Sequence, residues 1–473
     1  MADEDIRELA TDAPPEAARE EEQLDEENRL RGDFVDAVND ALEAHDQARV
    51  YELVEPLHPA DIADLVELLG TERRRELAAA ITDLMTPEVI AELNDYVRDD
   101  MIEALPPGAV ADIAEQLETD DAVQLIEDLE PEDQRAILAE LDPEDRAAIE
   151  SALAYPEESA GRLMQRELVA VPEHMTVGNL IDYLREREDL TTEFWEVFVV
   201  DPLHKPVGTC QLSWIMRTPR DVAITDVMKR DQTLIPVTMD QEEVALRFQK
   251  YALISAAVVD GDGRLVGQIT VDDIVHIISE EAGEDILRLS GAGEGDINEP
   301  LGTTIRSRMW WLFVNLWTAI LAAAVVSAFQ GTITRLVTLA VLMPIVAGMG
   351  GNAGTQTMAV TVRALATNQL TTSNTWRMIG RELWIAIANG VGLGLLMAAG
   401  CQLIYHDWAL SGVLLAAMVI NSVTAGLSGV IIPLILDKLR LDPAVTSTVF
   451  VTTMTDVMGF FSFLGLAALF TLH

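Results

Sequence analysis

Five long uncharged runs, residues 309–334, 336–362, 383–406, 408–436 and 443–473, constrain this chain more than any other feature, and only the fifth carries a charge, Asp456. A helix crossing roughly 30 Å of bilayer hydrocarbon takes about 20 residues. One such run could be a buried core helix, but five in succession read as five membrane spans. Arg306 and Arg308 precede the first span, Arg363, Arg377 and Arg381 lie between the second and third, and Lys438 and Arg440 between the fourth and fifth. Only Arg335 falls in an alternate loop. The positive-inside rule makes the three clusters cytoplasmic, which leaves everything before the first span in the cytoplasm and the C-terminus outside. Met1 opens an acidic stretch, so no cleavable signal sequence is expected. Cys210 and Cys401 fall in different regions and suggest no disulfide framework.

Of the formal charge of −47, residues 301–473 contribute +3 and the first 300 residues −50. The two parts are built for different solvents. Four lysines (Lys205, Lys229, Lys250 and Lys438) stand against 79 acids, a balance suited to a salty, halophilic cytoplasm where a highly charged surface stays hydrated and screened. Most of the N-terminal acids are therefore expected to be solvated surface and not metal ligands, and no nucleic-acid partner is expected.

Residues 1–32, acidic and poor in large apolar side chains, are expected to be a disordered tail. From 33 to 155 the apolar residues fall at helical spacing, and Leu105, Leu117, Leu129, Leu141 and Leu153 recur every twelve residues. "LEPEDQRAILAEL" and "LDPEDRAAIESAL" show the unit: a proline near the first turn, acids at the helix N-terminus, then an apolar stripe. Stacked short helices forming a small solenoid are expected. A second duplication follows. "VVDPLHKPVGTCQLSWI" from Val199 is echoed by "VVDGDGRLVGQITVDDI" from Val258, and in each an Asp-containing turn leads after seven residues to a Gly that opens a strand and then a helix. Residues 272–300 connect this region to the first span through an amphipathic helix whose polar face carries Glu280, Glu281, Glu284 and Asp285.

The second span contains "PIVAGMGGNAGTQ", which a lipid-facing helix would not choose. Pro344 cannot donate a hydrogen bond, and Gly348, Gly350, Gly351 and Gly354 permit close helix approach or local unwinding. Asn352, Thr355 and Gln356 need polar partners, which favours a wet path over plain packing. Asp456 is read as the sole acid inside a span. A carboxylate at a helix centre costs roughly 2.5 to 3.5 kcal/mol on insertion scales and marks a pathway by default. No cation lies near mid-depth to pair with it, so a small hydrated cation is the natural partner. Mg²⁺, which keeps several waters and binds through one or two carboxylates, fits that chemistry without being singled out by it.

These motifs carry a resemblance. The duplicated region is similar to a tandem pair of CBS domains, residues 156–220 and 221–278, of which the second keeps Thr270 and Asp273 where the family usually binds nucleotide ribose. Gln211 and Trp214 stand there in the first copy, so ATP or another adenine nucleotide is implied at the second copy alone. The whole order, with "MPIVAGMGGNAGTQ", "LDPAV" and "TDVMG" in the membrane part, resembles the MgtE family of magnesium channels. The implied fold is a multidomain membrane protein: an all-α superhelical N-terminal domain, α/β tandem CBS domains, an amphipathic connecting (plug) helix and a five-helix transmembrane domain over residues 306–473. The resemblance also implies a homodimer in a lipid bilayer with its pore on the symmetry axis. Asp456 would recognise hydrated Mg²⁺, with Gly350, Gly351, Asn352 and Gln356 beside the pore. Intracellular Mg²⁺ would close it by neutralising Asp120, Asp273, Glu281, Glu284, Asp285 and Asp442. His276 and Gln124 replace acids of the family pattern. An intramembrane protease would need a second acid, a proton-coupled carrier a second titratable partner, and an anion channel a cationic or amide-rich lining. A non-enzymatic channel for Mg²⁺, or for Co²⁺ through the same fold, is the expectation.

Overall fold

The computed structural model describes residues 23–103, 105–187, 190, 194–290, 299, 301–371 and 373–471. Residues 1–22 of the expected tail lie outside them. The rest of that stretch is ordered: Leu24 pairs with Leu30, and Leu30 packs on the first core, which gives these residues the apolar anchor that their composition hides. The chain divides into two compact units, Met1–Ile278 and Ser279–His473.

In the first unit, among the described residues, ten helices run from α1 (Gly32–Glu43) to α10 (Pro143–Leu153). The repeat is written in their starts, for α7 (Pro107–Ala114), α8 (Thr119–Glu127), α9 (Pro131–Glu140) and α10 begin twelve residues apart. Proline opens three of these four because its missing N–H would have no intrahelical partner in the first turn. Leu117, Leu129, Leu141 and Leu153 join Val110, Ile126, Ile137 and Ile149 in the core beneath them. Leu105 does not, being 40 % exposed, although a helix over Asp95–Ile102 starts twelve residues before α7 and sends Ile102 into the same core. A separate core of Val38, Leu65, Leu77 and Val97 lies under the earlier helices.

Two three-stranded modules follow. One contains β1 (Ala170–Pro172), α11 (Val177–Glu186), β2 (Glu196–Val200), β3 (Pro206–Gln211) and α12 (Leu212–Arg217). After the short α13 (Ile224–Val227), the other contains β4 (Leu234–Pro236), α14 (Gln241–Tyr251), β5 (Ser255–Val259), β6 (Leu265–Thr270) and the start of α15 (Val271–Ser290). In both sheets the first two strands are parallel and the last two antiparallel, with a register shift at Val199/Val200 and again at Val258/Val259. The turns match bond for bond. Asp201 Oδ1 accepts the N–H groups of Leu203 and Lys205, and Asp260 Oδ1 those of Asp262 and Arg264. The glycine seven residues on is required by a close crossing, since a Cβ at Gly267 would stand 2.7 Å from the carbonyl oxygen of Gln165.

The second unit holds the rest of α15, α16 (Leu301–Ala328), the short α17 (Gln330–Arg335), α18 (Thr338–Ala366), α19 (Thr375–Tyr405), α20 (Trp408–Lys438) and α21 (Pro443–Thr471). Five of these helices are long and apolar enough to cross a membrane. Helix α20 is the central one, packing Leu414 and Met418 with Val346 of α18 and Phe463 of α21, whereas α16 is exposed along most of its length. A helix apolar all round can pack against several neighbours at once, and α20 is the most buried of the five, with half of its apolar window covered. Pro344 lies inside α18, yet the helix continues on both sides of it, so the local unwinding that the sequence permits is not taken up.

Candidate cation pathway

Asp456 lies half-buried on α21 and faces a cavity of about 350 Å³. Asn315 and Thr318 of α16 line one side, Thr448, Thr452 and Thr453 of α21 the other, and Leu289 of α15 closes it. The hydroxyl protons here are already committed: Thr448 donates to the Leu289 carbonyl (2.8 Å), Thr452 to Thr448 O (2.8 Å), Thr453 to Val449 O (2.6 Å) and Thr318 to Asn315 O (2.8 Å). What those hydroxyls offer the cavity is therefore their oxygen lone pairs. Among the described residues Asp456 has no hydrogen-bond or ion-pair partner. The carboxylate and these hydroxyl oxygens suit a cation, or the outward-pointing water protons of a hydrated one, while Trp311, Ala319 and Val449 complete the lining.

The glycine-rich stretch of α18 divides by face. Gly350 is buried against Asn421 of α20, and Gly354 packs under Val451 and Thr455 of α21. Gly351 has open space where a Cβ would stand, and Asn352, Thr355 and Gln356 lie on the exposed side. Thr355 satisfies its hydroxyl proton within its own helix, on Gly351 O at 3.0 Å. Gly350 and Gly354 are thus packing notches on one face, Gly348 and Gly351 have open space beside them, and the amides sit on the exposed side.

Asp456 is not the only acid within a span. Glu382 is the eighth residue of α19 and is 6 % exposed, with one oxygen accepting from Thr357 of α18 at 3.3 Å. It escapes a search for uncharged runs because it directly follows Arg381 and ends the run instead of interrupting it. Burial, seen only once helices pack, is what marks it. It does not line the Asp456 cavity, so the pair forms no catalytic dyad there.

The cytosolic candidates gather in part. At the N-terminus of α8, Glu118, Asp120 and Asp121 share a neighbourhood with Asp272, Asp273 and Glu167. Burial, with Asp273 and Glu167 nearby, pushes the Glu118 carboxyl up to about 7. Burial likewise lifts Asp273 to about 6, and lifts Asp120, 4 % exposed and near Asp273, well above the usual carboxylate range. Asp120 Oδ1 is buried without a hydrogen-bond partner among the described residues. Glu167, which the sequence reading missed, accepts from the Thr119 hydroxyl at 2.8 Å. Thr270 donates to Asp273 at 2.6 Å, so the two ribose candidates are bonded to each other. Exposed His276 lies close enough to Asp121 to favour its charged form slightly, and Gln124 is exposed. Among the described residues no three Asp, Glu, His or Cys side chains converge tightly enough to hold a bare ion.

In the second unit Arg288 bridges Glu284 on its own helix and Asp442 in the turn before α21, the latter at 3.0 Å. Glu281 is half-buried on the same helix, and the side chain of Asp285 lies outside those described.

Fold and site together define a multi-pass membrane protein with a candidate cation pathway in its spans and helical and α/β domains ahead of them. Its membrane part, residues 343–466, matches the family model described as MgtE, a divalent cation transporter; residues 57–158 match the MgtE intracellular N domain and 224–280 the CBS domain. The chain is 31% identical over 318 residues to the magnesium transporter MgtE of Enterococcus faecalis, a stretch covering 67% of this chain and 70% of that protein. It is 30% identical over 324 residues to MgtE of Thermus thermophilus, covering 68% and 72%. Among solved structures, it is similar to the cytosolic domain of the Mg²⁺ channel MgtE in complex with ATP, at 30% identity and TM-score 0.47, covering 51% of this chain and 99% of that one. The chain belongs to the MgtE family.

Proposed function

We propose that this protein conducts Mg²⁺ across a cell membrane and is closed by intracellular Mg²⁺ bound among its cytosolic acids. The observation that carries the reading is Asp456, unpaired among the described residues, facing a cavity whose hydroxyls present acceptors. A carboxylate there attracts a cation but cannot strip the hydration shell of Mg²⁺, so recognition runs through retained water. The relatives' activity points the same way. A homodimer would bring the exposed Asn352 and Gln356 of two copies toward one path, with Gly351 leaving room for it. Orientation follows the arginine clusters, with the C-terminus outside.

Closure would use the crowded carboxylates around Asp120 and Asp273. Burial and mutual repulsion disfavour their charged forms, and a divalent ion that binds the compact arrangement better than an open one shifts the population toward it. Glu281 and Asp285 would serve the same end near the first membrane helix, whereas Glu284 and Asp442 are already bridged by Arg288. An adenine nucleotide at Thr270 and Asp273 would have to exchange their mutual hydrogen bond for contacts to ribose.

The test is Mg²⁺ flux into high-salt proteoliposomes, wild type against Asp456→Asn at matched incorporation. Flux in the wild type and a loss of about a hundredfold or more in the variant supports the pore role. Equal flux in both removes Asp456 from the pathway. Competition by Co²⁺ in the same assay separates a Mg²⁺ channel from one built for another divalent ion, and flux driven by a pH gradient alone would instead indicate a proton-coupled carrier.

A further inference from the structure

Asn421 sits at the centre of α20, 1 % exposed, and its side chain enters a notch made by two other helices. A Cβ on Gly350 of α18 would collide with its amide, and one on Gly459 of α21 would stand 2.8 Å from Nδ2. Nδ2 donates to the carbonyl oxygen of Val346 at 2.8 Å. That bond fixes the orientation of the amide, since the flipped form would set oxygen against oxygen. Oδ1 is then buried with no partner among the described residues.

The place of this amide is informative. Val346 C=O is the acceptor that the N–H of Gly350 uses in an α-helix, so Asn421 adds a second donor to a rung of α18. One turn further along, Gly354 packs on Val451 and Thr455 of α21 and on Ala425 of α20. Asp456 lies between Thr455 and Gly459, the two α21 residues held in these contacts. A buried polar group with half its capacity unmet is costly, and an apolar side chain would fill the notch without that cost.

We propose that Asn421 is a positioning residue: its amide fixes the height and rotation of α18 against α21, and thereby sets the Gly351–Gln356 face relative to Asp456. It touches neither ion nor cavity and acts through the two helices that do. This rests on the transport reading for its consequence, not for its geometry.

Two measurements test it. In the first, Asp456→Cys is labelled by a small charged thiol reagent in the full-length protein, against native cysteines Cys210 and Cys401 that are both buried. Adding Asn421→Ala changes the labelling rate at least about fivefold, and adding Gly350→Ala as well, whose Cβ refills the vacated space, leaves the rate displaced. An unchanged rate, or one restored by Gly350→Ala, overturns the inference whatever the protein carries. In the second, with Asp456 intact, Asn421→Ala reduces the preference for Mg²⁺ over Ca²⁺ in flux about tenfold while the melting temperature of the Gly350→Ala double variant stays near wild type. Wild-type preference in both variants overturns it. If Asn421→Ala alone does not assemble, the double variant carries both comparisons. Absence of flux in the wild type itself would sink the transport reading, and the labelling result would still decide the positioning role.

Discussion

Arg288 bridges Glu284 and Asp442 with one guanidinium, so those two acids already have a cation between them. All three side chains are about a third exposed, and pairs of that kind contribute about 0–1 kcal/mol. Arg288→Gln should therefore barely change the melting temperature. It should, however, leave two carboxylates facing each other, so that amide exchange at the start of α21 becomes Mg²⁺-dependent where the wild type is protected without the ion; identical exchange in both proteins would refute this. Glu382 makes a different prediction. Glu382→Ala removes the acceptor of Thr357 and empties a buried site, for a loss of about 1–3 kcal/mol in thermal unfolding, whereas Glu382→Gln keeps an acceptor and should lose about 1 kcal/mol or less. Equal losses would mean that the hydrogen bond contributes nothing. Asp456 and Glu382 also mark what a sequence can show at this scale. A carboxylate in the middle of an uncharged run is conspicuous, but one that closes a run beside an arginine looks like a loop residue until α18 is found against it. Asn421 was equally hidden, because one amide in a span carries no pattern.

At the scale of elements, the periodicities were the legible part. Twelve-residue spacing set the starts of α7 to α10, and the duplicated Asp turns reappear with the same hydrogen bonds in both modules. The limits were the ends of each series. Leu105 has the right spacing yet stays exposed, and residues 23–31 have tail-like composition with one leucine that anchors them. The glycines of α18 could be read two ways, and helix packing makes notches of Gly350 and Gly354 but not of Gly348 and Gly351, a long-range fact that no window of sequence contains. Close approach also governs the regulatory modules. Gly267→Ala places a methyl against a backbone carbonyl that cannot move independently of its strand, so it should destabilise by about 1–3 kcal/mol. Gly261→Ala, with open space around it and a negative φ, should stay within about 0.5 kcal/mol. Chemical denaturation of the two variants reads the contrast, and comparable losses would show that the crossing at Gln165 is looser than its geometry.

For the whole molecule, the excess of acid becomes a condition on stability. Glu118 and Asp273 are held up to about 7 and about 6, and Asp120 is raised as well, because burial among other carboxyls favours the neutral form. A carboxyl raised in the folded state binds its proton more tightly there than in the unfolded chain. Its contribution is therefore fully present below the ordinary carboxylate range near pH 4 and is lost as pH rises through the folded-state values, between about 6 and 7 here. The packing of α8 against the second α/β module should accordingly weaken from pH 5 to pH 8. A divalent ion that takes the place of those protons should restore it at the high end and do little at the low end. Hydrogen exchange across Thr119–Glu127 in the full chain, corrected for intrinsic rate, should show protection falling with pH, and Mg²⁺ recovering it at pH 8 but not at pH 5. Potassium chloride at matched ionic strength separates the two explanations of that recovery. If potassium protects α8 as well as Mg²⁺ does, the acids act as a screened surface and no ion is specifically held. If only Mg²⁺ protects it, and its addition near pH 6.5 releases protons, then cation and proton compete for the same buried carboxyls. The protein would then sense its cargo through the repulsion that its acidic surface stores.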